Sequence, residues 1–345
     1  MTADAGVNRA NDAIRIAAAY FDTRNFERAR GVLRTALTEQ PNNAMLLIHH
    51  ARAEYALKNY SGAAWSAHAA LSVAPQHEFA MRIYALALDC LGRSHEALWL
   101  AWRGVMAHPN EPLQHWTYAE LLLKARQYVS ALVVVDEALR LSPNHVDSLV
   151  LRGRILHSLG RLPESDEAYR NALSVDPDNA EALNNLAVNR FHLGKFGRAL
   201  RGFLGAAGHD PSLGDLARRN VGAVLVRVLR RATFLSVLVC LLVDVVGSEQ
   251  KANVTTLGWR VLTGLATAAL ICVVGWLIRS IPRQVLRSVL RERFFLVVRL
   301  AYALVAVAVG AWVTAFGGPQ WAMVTGMLLM FLGAAIAWVG RVAGT

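Results

Sequence analysis

The segment Val146–Asn179 reads VDSLVLRGRILHSLGRLPESDEAYRNALSVDPDN, and it is one of a series of units that together decide the fold. Prolines recur every 34 residues along the chain, at Pro41, Pro75, Pro109, Pro143, Pro177 and Pro211. A fixed period of this length indicates stacked helix–turn–helix repeats. Each proline ends the second helix of its unit, because proline cannot continue the backbone hydrogen-bond ladder. Solenoids of this kind offer long binding surfaces, so we expect these repeats to bind rather than to catalyse.

Small residues recur at three positions of each unit, where only a small side chain lets two helices approach closely. The first helix has Ala17, Ala51, Ala85, Ala119, Gly153 and Ala187 near its middle. The second helix has Ala29, Ala63, Ala97, Ala131, Ser165 and Ala199 early, and Ala36, Ala70, Gly104, Ala138, Ala172 and Ala206 late. It opens with a large apolar or aromatic residue at Phe26, Tyr60, Tyr128, Leu162 and Phe196, but with Ser94 in the third unit. A glycine separates the two helices only at Gly92, Gly160 and Gly194.

This pattern, over about residues 10–213, resembles the tetratricopeptide repeat. The resemblance implies an all-α solenoid of six repeats, at about 10–43, 44–77, 78–111, 112–145, 146–179 and 180–213. It also implies a protein or peptide partner, which is bound on the concave surface lined by the first helix of each repeat.

The composition changes after Pro211, where four apolar stretches follow: Ala232–Val246, Val261–Ile278, Leu300–Phe316 and Trp321–Val339. A bilayer core requires about 20 apolar helical residues, so these stretches predict a four-helix transmembrane domain. Trp259, Trp276, Trp312, Trp321 and Trp338 lie near their ends, the interfacial position that indole prefers. The alternative is a pair of buried helical hairpins in a soluble domain, but the polar faces that such helices need are missing.

Positive charge is concentrated in this second part of the chain. Residues 1–211 contain 22 Lys and Arg against 21 Asp and Glu, whereas residues 212–345 contain 14 against 4. Because basic residues stay on the cytoplasmic side, we expect the repeats, the second connection and the C-terminus to be cytoplasmic. We expect no signal peptide, since the first 30 residues lack an apolar core. A nucleic-acid partner would require the excess on the soluble part, so that class is excluded.

The resemblance also predicts which side chains line the repeat groove. In such repeats the concave surface is formed chiefly by positions two, five, nine and twelve of the first helix. The groove residues expected to contact a partner are Arg52, Tyr55, Phe79, Arg82, Trp116, Glu120, Arg154, His157, Asn184 and Phe191. This surface is apolar and aromatic with isolated charges, which favours an extended or helical segment with hydrophobic anchors. Trp116 and Arg82 are the expected hot spots. Some of these residues could instead pack between repeats.

A second candidate site is the basic connection Arg279–Arg299. Arg279, Arg283, Arg287 and Arg291 recur every four residues and form a stripe on one helix face, with apolar residues opposite. A basic amphipathic helix of this kind lies at the inner leaflet and attracts anionic lipid. The alternative is that these arginines only determine topology. Asp244 lies two residues from the end of its span, where ordinary interfacial placement explains it.

The sequence contains no recognisable catalytic motif, so we expect no catalytic residue, no cofactor and no metal. His49 and His50 are adjacent and point in different directions on a helix, and no glycine-rich phosphate loop is present. The three cysteines do not lie in the outer loops, so no disulfide is expected.

These observations predict a repeat solenoid (1–211), a basic linking or capping helix (212–231) and a membrane domain (232–345). The interpretation is a multi-pass adaptor of a bacterial plasma membrane, because arginine outnumbers lysine 32 to 4 in an alanine-rich and valine-rich chain. Its groove would recruit a cytoplasmic or membrane partner. Two alternatives stay open: an accessory subunit of an envelope-biogenesis or secretion complex, and a small transporter-like module regulated by the repeats. The sequence leaves the partner and the oligomeric state undetermined.

Overall fold

The computed structural model describes residues 2–210, 212, 214–252, 255–318 and 320–342. These residues form seventeen α-helices and no strand, which confirms the predicted all-α class. Pro211 and the side chain of Trp321 lie outside the described part of the chain.

Twelve helices form the six repeats, each as a first helix A and a second helix B. They are α1 (Thr2–Asp22), α2 (Phe26–Glu39), α3 (Ala44–Ala56), α4 (Tyr60–Val73), α5 (Glu78–Cys90), α6 (Ser94–Ala107), α7 (Pro112–Lys124), α8 (Tyr128–Leu141), α9 (Val146–Ser158), α10 (Leu162–Val175), α11 (Ala180–His192) and α12 (Phe196–His209). Five longer or basic helices follow: α13 (Gly214–Lys251), α14 (Leu257–Ser280), α15 (Arg283–Glu292), α16 (Phe294–Phe316) and α17 (Gln320–Val342). The chain divides into two compact units, residues 1–177 and 178–345. The first unit therefore contains five repeats, and the sixth repeat belongs to the same unit as α13–α17.

In the first unit, each A helix packs against its own B helix and against the A helix of the next repeat. The alanines near the middle of the A helices, Ala17, Ala51, Ala85 and Ala119, have no exposed surface. A larger side chain at these crossings would separate the helices, which is why the sequence keeps a small residue there.

The fifth repeat replaces two of these alanines by Gly153 and Ser165 and remains tightly packed. A Cβ atom on Gly153 would lie only 2.4 Å from the ring of Tyr169, so the ring occupies the space that alanine fills elsewhere. The Ser165 hydroxyl donates to the Gly153 carbonyl at 2.7 Å. The buried hydroxyl is thereby satisfied, and the departures from alanine are coupled to one another.

The turn between helices A and B has the same backbone conformation in all six repeats. Gly92, Gly160 and Gly194 have φ between 72° and 79°, and Arg24, Lys58 and Arg126 occupy the equivalent positions with φ between 56° and 61°. The left-handed conformation costs a residue with a side chain about 1 kcal/mol more than glycine. The turn geometry is therefore imposed by the packing of the two helices, and glycine only makes it easier.

His50 is a buried polar group in the second repeat. Its Nδ1 lies 2.9 Å from the Ser66 hydroxyl, and its Nε2 lies 3.6 Å from a carboxylate oxygen of Glu54, which is also buried. Burial lowers the pKa of the His50 imidazole, and the Arg30 and Arg34 charges add to this, while Glu54 opposes it. The ring therefore stays neutral in the folded protein at a pH where it would be protonated in the unfolded chain.

The second unit is organised around helix α13, which packs against α12, α14, α15, α16 and α17. Its first half shares one apolar core with the sixth repeat and with the ends of the neighbouring helices. That core contains Phe196, Leu200, Phe203, Val221, Val224, Leu225, Val228, Leu229, Leu277, Ile281, Val289 and Leu296. Trp276, near the end of α14, also packs against α12 at Gly197, where a Cβ atom would lie 3.4 Å from the indole. The linking segment and the first apolar stretch are thus one uninterrupted helix.

Four helices of the second unit are long and apolar enough to cross a membrane: α13, α14, α16 and α17. Large apolar side chains remain exposed on all four, including Phe234, Leu265, Leu304 and Phe331. Soluble proteins rarely expose so much apolar surface on neighbouring helices. Because Val221–Leu229 of α13 is buried against the sixth repeat, the part of α13 that remains for lipid begins at about Ala232.

Glycines allow these helices to approach closely. Gly310 of α16 faces Thr267 of α14 and Val239 of α13, and Gly326 of α17 faces the α13 backbone at Cys240 and Asp244. Small residues of this kind are the usual contact points between helices in lipid, where the hydrophobic effect does not drive association.

We expect Gly310→Ala to destabilise the four-helix bundle by about 1–3 kcal/mol, because the added Cβ would lie 2.3 Å from Thr267 Oγ1 and 2.8 Å from Val239 Cγ1. The matched control is Gly275→Ala on α14, where nothing lies within 4 Å of the added atom. Unfolding by sodium dodecyl sulfate in mixed micelles measures both variants. Equal unfolding midpoints for the two variants would contradict this packing.

We expect the second repeat to lose stability as the pH falls below about 6.5, because the unfolded chain then takes up a proton that folded His50 does not bind. The slope contributed by one histidine is at most about 1.4 kcal/mol per pH unit. Hydrogen exchange of the α3 and α4 amides between pH 7.5 and 5.5 measures the effect, with His50→Gln as the variant that cannot titrate. An equally steep pH dependence in that variant would rule out His50 as the source.

Candidate functional site

The A helices of the first unit carry eight of the ten predicted groove residues. Helices α3, α5, α7 and α9 lie side by side, each in contact with the next. Residues at equivalent positions of successive repeats therefore become neighbours. We call the surface formed by Arg52, Tyr55, Phe79, Arg82, Trp116, Glu120, Arg154 and His157 the A-helix groove.

Glu120 and Arg154 form an ion pair across the fourth and fifth repeats. The two guanidinium nitrogens of Arg154 lie 3.0 and 3.3 Å from the two carboxylate oxygens of Glu120. Glu120 is buried, so the paired arginine compensates for the loss of water around its carboxylate. These two residues, which are 34 positions apart, thus connect adjacent repeats as well as line the groove.

A second inter-repeat ion pair explains the third repeat's unusual serine. Lys124 donates to a carboxylate oxygen of Asp89 at 2.8 Å, and the Ser94 hydroxyl donates to the other oxygen at 3.2 Å. Burial alone would lower the pKa of Lys124, but the Asp89 carboxylate raises it above its usual value. In the first, second and sixth repeats the equivalent pair is aromatic: Phe21–Phe26, Tyr55–Tyr60 and Phe191–Phe196.

Arg82 and Trp116 lie at equivalent positions of the third and fourth repeats and provide buried donors. The Arg82 guanidinium lies 5.2 Å from the centre of the Phe79 ring. Burial lowers the pKa of Arg82, although Glu78 and Glu111 oppose the shift. Trp116 packs against a core that includes Ala119, Leu122 and Ile155. Among the described residues, neither Arg82 Nε nor Trp116 Nε1 has a hydrogen-bond partner.

At the near end of the groove, Arg52 stacks on the Phe21 ring with its guanidinium carbon 4.0 Å from the centre. Tyr55 is half-buried and meets the Tyr60 ring edge to face at 5.6 Å. Burial, followed by the neighbouring Cys90 thiol, raises the pKa of the Tyr55 phenol. His157 lies in the last turn of α9 and is also half-buried.

The two remaining predicted groove residues lie in the second unit and contact the chain's own helix α13. Asn220 donates to the side-chain carbonyl of Asn184 at 3.1 Å. The guanidinium of Arg227 lies 4.4 Å from the centre of the Phe191 ring. In the sixth repeat, then, α13 occupies positions that the resemblance assigns to a partner.

The four predicted membrane-surface arginines are all exposed but do not share one helix. Arg279 lies in the last turn of α14, whereas Arg283, Arg287 and Arg291 follow the break at Ile281–Pro282 and lie on α15. The apolar face of α15, with Val285, Leu286, Val289 and Leu290, packs into the core shared by α12 and α13. That face is covered by protein and is not free to enter lipid.

One feature of the repeats carries no signal in the 34-residue pattern. A cavity of about 530 Å³ lies between α4, α5 and α6, on the B-helix side of the second and third repeats. Trp99, which is 57% exposed, lines it. The only hint in the sequence is that α4 (Tyr60–Val73) contains no Asp, Glu, Lys or Arg.

Across the part of the chain that the structure describes, no cluster of three His, Cys, Asp or Glu side chains could hold a metal ion. Cys90 and Cys272 are exposed and Cys240 is buried. The described side chains therefore present binding surfaces, and none of their arrangements indicates a reaction.

Comparison with known proteins identifies the repeats. Family models described as "Tetratricopeptide repeat" and "TPR repeat" match residues 14–77 and 119–165, and residues 153–194, respectively. The chain therefore contains tetratricopeptide repeats, followed by four helices that are long and apolar enough to span a membrane.

Among curated proteins, human "Tetratricopeptide repeat protein 7A" is 31% identical over 91 residues, which are 24% of this chain and 11% of that protein. The Drosophila melanogaster "Protein O-mannosyl-transferase Tmtc3" is 34% identical over 71 residues, 20% of this chain and 8% of that protein. The chain thus spans only about a tenth of the length of these relatives.

Among solved structures, PilW, described as a "widely conserved type IV pilus biogenesis factor", superposes with a TM-score of 0.52. It is 19% identical, and the match covers 59% of this chain and 94% of PilW. At this identity the likeness concerns the repeat fold alone.

Proposed function

We propose that this protein is a membrane-anchored scaffold that binds a segment of a partner protein in the A-helix groove of its first five repeats. The repeats are of a kind that generally binds proteins or peptides. The observation that carries the proposal is the pair of buried donors at Arg82 Nε and Trp116 Nε1, at equivalent positions of adjacent repeats. A buried donor without an acceptor costs about 1–3 kcal/mol, which a bound carbonyl or carboxylate would recover.

The charge of Arg82 favours an acceptor that is acidic or strongly polar. Burial removes water from its guanidinium and lowers its pKa, so a carboxylate placed beside it restores the lost stabilisation. Phe79 and Trp116 add apolar surface on either side. A partner segment with an aromatic or aliphatic anchor next to an acceptor therefore fits this part of the groove.

Membrane anchoring is supported by the second unit. The basic residues Arg227, Arg231, Arg283, Arg287 and Arg291 lie at the end of the unit where α12, the start of α13 and α15 share one core. By the positive-inside rule, this end faces the cytoplasm, and the basic composition agrees with a bacterial plasma membrane. The exception at the other end is Arg260, whose guanidinium donates to the Thr314 carbonyl at 2.9 Å and to the Ala315 carbonyl at 2.7 Å, near the end of α16.

The exposed arginines of α15 would contact anionic headgroups of the same leaflet. Because the apolar face of α15 is covered by α12 and α13, the contact would be electrostatic and sensitive to salt. Tethering of the groove at the membrane would raise the local concentration of a partner there.

The test compares co-purification of partners from native membranes by the wild type and by Arg82→Ala/Trp116→Ala, with quantitative mass spectrometry. We expect at least a tenfold loss of the partner, because truncation of a buried tryptophan or arginine anchor costs about 2 kcal/mol or more. The control is Arg34→Ala/Val175→Ala, which removes an exposed arginine and an exposed apolar side chain from B helices. Equal recovery by all three proteins would contradict the proposal.

A further inference from the structure

We propose a second protein-binding site on the B helices of the second to fourth repeats, which takes an amphipathic helix with an acidic residue beside its apolar face. The site is the cavity lined by Trp99 together with the apolar side chains that continue from it. It lies on helices α4, α6 and α8, whereas the A-helix groove lies on α3, α5, α7 and α9.

The cavity arises from the way these repeats pack. Helices α4 and α6 both pack against α5, which forms the floor with Met81, Tyr84 and Leu88. Leu71 and Leu100 complete the apolar walls. The volume of about 530 Å³ lies within the range of ordinary ligand pockets and is larger than one side chain requires.

Exposed apolar side chains extend the cavity into a band. Trp65 on α4 is 69% exposed, Met106 on α6 is 64% exposed, and Val129 on α8 is 70% exposed. Trp102 and Val133 continue the same surface. The B helices on either side differ sharply, since α2 and α10 each carry at least four charged residues. A band of this kind marks an interaction surface rather than an ordinary solvated face.

The charges around the cavity favour an acidic partner. The acidic and basic residues that line it are His68, His95, Glu96 and Arg103. Glu96 is neutralised by Arg93, whose guanidinium donates to both carboxylate oxygens at 2.7 and 2.6 Å. Arg103 stacks on Trp99, with its guanidinium carbon 4.8 Å from the ring centre, and among the described residues no carboxylate pairs with it. A carboxylate on the partner would complete an arginine already positioned over the aromatic wall.

The shape of the band selects a helix as the partner's structure. Three helices at spacings of about 10 Å present a surface about 20 Å across, which an α-helix of about 14 residues spans. Its apolar residues at i, i+3 or i+4 and i+7 would lie along the band, and one would enter the cavity. A small molecule would fill the cavity and leave Trp65, Met106 and Val129 in water.

The experiment selects binders from a displayed library of helical 14-residue peptides, with the full-length protein in nanodiscs as the target. We expect enriched peptides to carry apolar residues at helical spacing and an Asp or Glu beside them. Trp99→Ala and Arg103→Gln should each weaken their binding at least tenfold. Trp116→Ala, which alters the A-helix groove instead, should leave their affinity within twofold, so the two sites are tested separately.

Because Trp99 and Arg103 are exposed, both variants should keep the helicity of the wild type by circular dichroism. Enrichment of basic peptides, binding that is independent of Trp99, or no enriched peptide would overturn the proposal. A Trp99-dependent doubling of the particle mass would also overturn it, because the band would then be covered by a second copy of the chain.

Discussion

The apolar core shared by helices α12, α13 and α15 determines how the second unit is built. A repeat at the end of a solenoid needs its apolar face covered, and here Val221, Val224 and Leu225 of α13 cover that of the sixth repeat. The same helix continues without a break into the bundle of apolar helices. The sixth repeat, the basic helix α15 and one end of the bundle are therefore held on the same side. Phe191 and Asn184, which face a partner in a typical repeat, are engaged by Arg227 and Asn220 of α13 instead.

The two candidate binding surfaces of the first unit differ in physical character. In the A-helix groove, buried charges are already paired within the protein, as Glu120 is with Arg154, and the unused groups are single donors at Arg82 and Trp116. A partner there gains mainly by satisfying hydrogen-bond donors. On the B helices, Trp99 and its neighbours expose apolar area around one unpaired cation, so a partner there gains mainly by removing that area from water.

The 34-residue period predicted the all-α repeat fold, because proline positions and small residues at helix crossings are local constraints. It underestimated the regularity of the turns, since Arg24, Lys58 and Arg126 adopt the conformation that only three glycines announced. The period could not show that Ser94 is compensated by Asp89 and Lys124, because that contact joins different repeats. The amphipathic pattern around Arg283 was recognisable, but amphipathicity does not reveal whether lipid or protein covers the apolar face. The Trp99 cavity left no periodic signal, because it depends on how far two helices separate.

The central claim is that the repeats and the basic helix α15 lie on one side of a membrane and the α13–α14 connection lies on the other. Labelling of single-cysteine variants with a membrane-impermeant maleimide tests it most directly, in a background where Cys90, Cys240 and Cys272 are replaced. The exposed positions are Arg201 on α12, Arg287 on α15 and Thr255 between α13 and α14. In intact cells, Thr255→Cys should react, whereas Arg201→Cys and Arg287→Cys should react only after permeabilisation. Reaction of Arg201→Cys and Thr255→Cys from the same side would contradict the account.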